Sequence, residues 1–176
     1  MLTLNSLTSE LGLKLVAGEE TADQRPIRWV HISELTDPTR WLEGGEFLLT
    51  TGLGLGEAAA SQRAYVRRLA RHGVAGLGFG IGFGFTDVPE AVVREADKLS
   101  FPVLAVPYEV PFVAITKSAF THLANEQLEQ QTRALAVHER LSDAVICGRG
   151  VQALLGIVCG HLDCSLALVD EDGRVL

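Results

Sequence analysis

Residues 42–56 read LEGGEFLLTTGLGLG, and the fold turns on whether this stretch is a buried strand ending in a turn. Gly44-Gly45 close a turn, Glu46 to Thr51 favour extended backbone, and glycines at 52, 54 and 56 come next. Phe47, Leu48 and Leu49 are consecutive and apolar, as in a strand covered on both faces rather than one with a wet side. The same reading applies to VAGLGFG (74–80) and PVLAVP (102–107). Amphipathic helices are expected between these runs near 58–72 and near 89–99, the second opened by Pro89 with Val92, Ala96 and Leu99 inward. Strands alternating with helices predict an α/β fold: a small, mainly parallel sheet of four or five strands, flanking helices and right-handed crossovers.

Outward from this repeat, a short helix is expected in the first twenty residues, capped by Asn5 or Ser6, with Leu4, Leu7 and Leu11 on one face. PIRWVHIS (26–33) reads as a strand, and TDPTRWLEGG (36–45) as a turn containing one helical turn. From Phe112 to about Cys147 almost nothing breaks a helix. Such a helix is longer than a small sheet can cover and is expected to project, with Leu128, Leu135, Val137, Leu141 and Val145 along one side. Dimerisation through Leu128, Leu135, Leu141 and Val145 is one reading; a simple linker between domains is the other. After Gly148-Arg149-Gly150, VQALLGIVCGHL reads as a helix, CSLALVD as a strand and RVL as a returning strand. Half a hairpin buries little by itself, so this is expected to be the start of a second, α+β domain.

The 176 residues carry a formal charge of −7 and are 47% hydrophobic. Enough apolar surface is present for a core, while the acidic balance argues against an autonomous DNA-binding surface. VAGLGFGIGFGF (74–85) is too short and too rich in glycine to span a bilayer, so no membrane association is expected. MLTLNSLTSELG lacks the pattern of a signal peptide, and three cysteines fit a reducing cytoplasm better than a disulfide framework.

Glycines at 76, 78, 80, 82 and 84 keep a period of two, which is neither a dinucleotide fingerprint nor a phosphate loop. They either let another element approach closely or form a backbone-lined ligand rim. Thr50, Thr51 and Gly52 stand at a strand's carboxyl end, where open α/β sheets collect ligands, although hydroxyls there also satisfy loop backbone. Arg63, Arg67 and Arg71, with Arg68 beside them, read as a solvated helix face before a phosphate site. Glu34 and Asp37 precede a proline turn and read as capping acids. Cys159, His161 and Cys164 lack the spacing of a zinc finger. Neither a catalytic constellation nor a cofactor motif emerges.

The ordered stretches RWVHISELTDPTRWLEGGEFLLTTGLGL, GVAGLGFGIGFGFTDVPEAVVREADKLSFPVLAVPYEVPFVAITKSAF and NEQL resemble the amino-terminal domain of PucR-type bacterial transcriptional regulators, the purine-catabolism regulator family. The likeness runs from about Gly18 to Glu139, and the residues after it are similar to the start of a GAF-like or degenerate-cyclase-like middle domain. The resemblance implies the sensory and oligomerising end of a non-enzymatic cytoplasmic regulator. In that family a helix-turn-helix domain lies at the far carboxyl end, outside this chain. Family members govern several nitrogen pathways, so the implied effector is a small nitrogen metabolite of open identity. A strand followed by GGEFLLTTG is also similar, in fold alone, to the amino-terminal domains of Mur ligases and of HPr kinase.

Expected domains are therefore 1–124 for the regulatory domain, 125–148 for the linker or dimerisation helix, and 149–176 for the truncated middle domain. The candidate effector residues are Thr50, Thr51, Gly52, Gly80 and Tyr108, and the expected assembly is a homodimer or higher homo-oligomer. A purely structural interaction domain without a ligand is the rival expectation.

Overall fold

The computed structural model describes residues 1–174. The chain forms two compact units, Met1–Ala124 and Asn125–Leu176.

The first unit is built on a five-stranded sheet of β1 (Lys14–Ala17), β2 (Trp29–Ile32), β3 (Glu46–Thr50), β4 (Gly76–Gly80) and β5 (Val103–Val106), in the order β1-β5-β4-β3-β2. Strands β2 to β5 run parallel, and β1 joins β5 antiparallel. The central strands β3, β4 and β5 are buried at every position, as their unbroken apolar runs require. The helices are α1 (Leu4–Leu11), α2 (Ala59–His72), α3 (Glu90–Lys98), and a 35-residue α4 (Phe112–Ile146).

Side-chain alternation divides the core in two. Leu48, Leu77, Phe79, Val103 and Ala105 pack with Tyr65, Val66 and Leu69 of α2 and Val92 and Ala96 of α3. On the opposite face Phe47, Leu49, Leu104 and Val106 pack with Leu4 and Leu7 of α1 and Ile115 and Ala119 of α4. The glycines of β4 belong to this second face. A Cβ at Gly76 would lie 2.6 Å from Leu4 Cδ1, and one at Gly78 would lie 2.4 Å from Leu49 Cδ2. Large neighbours lean over the bare strand, so these glycines serve close packing.

The structure corrects several expectations. The stretch that forms β1 reads in sequence as connector: it is only four residues long, and its place depends on β5, 86 or more positions away. Helix α1 is capped earlier than expected, by Thr3, whose Oγ1 accepts from the Ser6 amide while Ser6 Oγ accepts from the Thr3 amide. Leu99 lies outside α3 and is 38% exposed, whereas Val92 and Ala96 are buried as expected.

In the second unit, α5 (Gly150–Leu162) forms where the sequence predicts an apolar helix. The expected strand 164–170 is reduced to one bridging residue, Val169, followed by a turn. Of the expected returning RVL strand, Val175 and Leu176 lie outside the described residues. Cys147, Cys159 and Cys164 are all free thiols. Among the described residues no helix is long and apolar enough to cross a membrane.

Candidate functional site

The carboxyl ends of β2 and β3 lie side by side, because Ile32 pairs with Leu49. Two residues beyond Ile32, the Glu34 carboxylate enters the loop that leaves β3. Its Oε1 accepts from the Thr51 amide at 2.6 Å, and its Oε2 from Thr50 Oγ1 at 2.8 Å and the Leu53 amide at 3.2 Å. Thr50 Oγ1 in turn accepts from the Gly52 amide at 3.1 Å. One carboxylate thus gathers donors of a turn that has no ladder partners of its own.

The loop is closed tightly around this knot. A Cβ at Gly54 would lie 2.2 Å from the Glu34 carbonyl oxygen, a backbone atom that cannot step aside. Gly52 has φ +83°, and a Cβ there would lie 2.6 Å from Phe79 Cζ.

These contacts decide what each candidate residue can do. Thr50 is wholly buried and engaged, and Gly52 is buried against Phe79 and Phe85. Gly80 ends β4 and faces the ring of Phe112. Tyr108 is 62% exposed and packs on Phe83, with ring centroids 4.9 Å apart. Of Thr50, Thr51 and Gly52, Thr51 alone keeps an uncommitted group, a buried hydroxyl without a partner.

Beside the knot lies a cleft of about 420 Å³, bounded by Thr36, the Gly54–Gly56 loop and one face of α2, and none of the five candidates lines it. Ser61, Ala64, Tyr65 and Arg68 form that face at helical spacing. Arg68 Nη2 donates to the Thr36 carbonyl at 2.5 Å, and its Nε lies 3.9 Å from Asp37 Oδ2, too far for a hydrogen bond. The buried Arg68 Nε has no partner, and the buried Tyr65 hydroxyl stands against the Thr50 hydroxyl. Burial above all, and then the Glu34 charge, push the Tyr65 phenol far above its ordinary value, so it stays protonated. Asp37 is held below the usual carboxylate range, chiefly by the Thr39 hydroxyl and amide.

Two features missed from sequence shape the rest of the unit. Arg67 donates from Nε to Glu95 Oε1 at 2.5 Å, tying α2 to the buried Glu95 of α3. The expected solvated arginine face is therefore in part a structural pair. A second concavity, of about 380 Å³, runs along Trp29 of edge strand β2 and Val113, Thr116, Lys117 and Phe120 of α4. It is mostly apolar and has no convergence of unpaired polar groups.

In the second unit Leu128, Leu135 and Val145 are exposed, whereas Leu141 is half-buried. Among the described residues no three His, Cys, Asp or Glu side chains gather as a metal site would require.

Comparison with known proteins gives this fold its lineage. Residues 1–123 match the model of the purine catabolism regulatory protein-like family, PucR. The whole chain aligns at 30% identity with the transcriptional activator PmfR of Paenarthrobacter nicotinovorans, covering 38% of that relative. It aligns over 92% of its length at 25% identity with the purine catabolism regulatory protein of Bacillus subtilis (strain 168), covering 30% of it. The chain therefore spans about a third of the length of the curated relatives it matches. With the family model matched over residues 1–123 of 176, the chain belongs to the PucR family of purine catabolism regulatory protein-like domains.

Proposed function

We propose that this chain is the sensory and self-associating region of a cytoplasmic transcriptional regulator, without enzymatic activity of its own. A small-molecule effector binds at the carboxyl edge of the sheet, and DNA is contacted through a helix-turn-helix domain in another part of the regulator. Residues 149–176 begin a GAF-like middle domain, and α4 carries self-association through Leu128 and Leu135. The family membership supports the regulatory role. The observation that carries the sensor role is the cleft on α2 beside the end of β3, where the buried Arg68 Nε has no hydrogen-bond partner. Buried donors without partners are costly, at roughly 1–3 kcal/mol each, and ligands or ordered waters are the usual remedy.

Such a ligand acts as an effector by binding one arrangement of the protein better than another. The Arg68–Thr36 contact and the Glu34 knot join α2 to the loops after β2 and β3, so both move with anything seated between them. A thermal-shift and calorimetry screen of purine-degradation intermediates, amino acids and nucleotides tests this reading. The expected result is a stabilising compound whose effect is lost in Arg68→Gln. If no compound stabilises this chain or the full-length regulator, the sensor reading fails and a purely structural interaction domain remains.

A further inference from the structure

On a different face of α2, which shares no lining residue with the effector cleft, we infer a site for the phosphate group of a small phosphate monoester, formed by Arg25, Arg67 and Arg71. The three line one concavity of about 290 Å³, completed by Ala70 and Leu99. That volume lies at the small end of the usual range for ligand pockets, roughly 300–1,000 Å³.

Two of the arginines are held from behind. Arg25 Nη1 and Nη2 donate to the Val74 and Ser100 carbonyls at 3.3 and 3.4 Å, and its guanidinium carbon lies 5.9 Å from the centre of the Phe101 ring. Arg67 commits Nε to Glu95, which leaves its Nη groups uncommitted. Arg71 is exposed, with no hydrogen bond or ion pair among the described residues. Helix α2 contains no acidic residue, so Arg67 and Arg71, four apart, repel one another with nothing on their own helix to offset it. A chain of formal charge −7 thus turns three of its 15 basic residues into one pocket.

The carbonyls of the helix ends that border the pocket are committed. Ala70 O accepts from the Gly73 amide, Ala96 O from the Leu99 and Phe101 amides, and Val74 O and Ser100 O from Arg25. Glu95 is the one carboxylate bonded to these arginines among the described residues, and its remaining oxygen is buried, away from the pocket's open surface. A ligand must therefore supply both acceptors and negative charge. Three guanidinium groups against one carboxylate leave two positive charges. A carboxylate ligand offsets half of that, whereas a phosphate monoester carries about −1.5 to −2 at neutral pH. Planar guanidinium forks also match phosphate oxygens in geometry. Leu99, 38% exposed, gives the carbon part of the ester an apolar wall.

The probe is glycerol 3-phosphate, titrated at fixed ionic strength and neutral pH into the ¹⁵N-labelled 176-residue chain, with sodium acetate and a short DNA duplex as comparators. The expected result is saturable shifts of the Ala70, Arg71 and Leu99 amides, with acetate bound at least about tenfold more weakly and DNA no tighter than acetate. Arg71→Gln should weaken glycerol 3-phosphate about tenfold, and as an exposed residue without a partner it can be changed without disturbing the fold. Arg25→Gln should weaken it as well. Acetate binding as tightly as the phosphate would overturn the monoester class. Tighter binding of DNA would assign the arginines to a nucleic-acid backbone and overturn the small-ligand reading. Unchanged affinity in both variants would overturn the assigned contacts, and no saturable shift with glycerol 3-phosphate would overturn the site. None of these outcomes bears on the effector cleft, whose lining residues are separate.

Discussion

Thr50 occupies the last position of β3 with no solvent exposure, and its hydroxyl is both donor to Glu34 and acceptor from Gly52. Thr50→Val keeps the shape and removes both bonds, leaving a part-buried carboxylate short of a donor. Urea unfolding should show a loss of about 1–3 kcal/mol. A loss under about 0.5 kcal/mol, the scale of an ordinary surface change, would contradict the knot. The Arg67–Glu95 pair makes a pH-dependent prediction. The Arg67 hydrogen bond depresses the Glu95 pKa below its unfolded value, so this stabilisation is present above pH ~4.3 and is lost as pH falls through the depressed value. Arg67→Ala should therefore unfold more easily at pH 7, and its gap from the unsubstituted chain should close in acid. The site was legible only in outline at this scale. Strand-end threonines were visible as a candidate, but Glu34 lies 16 positions before Thr50 and reads as a local cap. The available signal was register: pairing Ile32 with Leu49 brings Glu34 opposite Thr51.

The elements with unbroken apolar runs were the legible ones, because such runs require burial on both faces and β3, β4 and β5 obtain it. β1 was not, since four residues between Gly12 and Gly18 gain their strand character only from β5. Helix α4 shows a different limit. Its length was evident from the lack of breakers, but its apolar residues do not share one environment. Leu128 and Leu135, seven apart, are exposed at 62% and 64%, while Leu141 is half-buried with Val137. At 3.6 residues per turn a seven-residue spacing returns to nearly the same face. If α4 self-associates, Leu128→Ser with Leu135→Ser should shift sedimentation toward monomer with helicity retained. Leu141→Ser should instead lower the melting temperature of the second unit. An unchanged sedimentation profile in the double variant would leave α4 as a linker.

Across the whole molecule, charge and core are distributed in ways that bear on division of labour. The formal charge of −7 over 176 residues gives little counterion-release drive toward a phosphate backbone. This chain should not retard promoter DNA in a gel shift at physiological salt, and retardation would place DNA contact within it. The core offers a sharper test. The buried residues of both apolar clusters end at Ala119; α4 contributes Ile115 and Ala119, with Phe112 and Leu123 partly buried against the second cluster. All the residues of both clusters thus belong to the first unit, and the later turns of α4 should be dispensable for folding it. A chain ending at Ala124 should melt in a single cooperative transition by circular dichroism, with ΔG of unfolding in the ordinary range of about 5–15 kcal/mol. Its tryptophans, Trp29 and Trp41, both lie in the first unit and are 54% and 71% exposed, so the far-ultraviolet signal is the better probe. A broad, non-cooperative melt would mean that the sheet relies on surface supplied by the rest of α4. Shortening instead to Pro111 removes Ile115 and Ala119 from beneath β3 and β5, and the cooperative transition should then be lost.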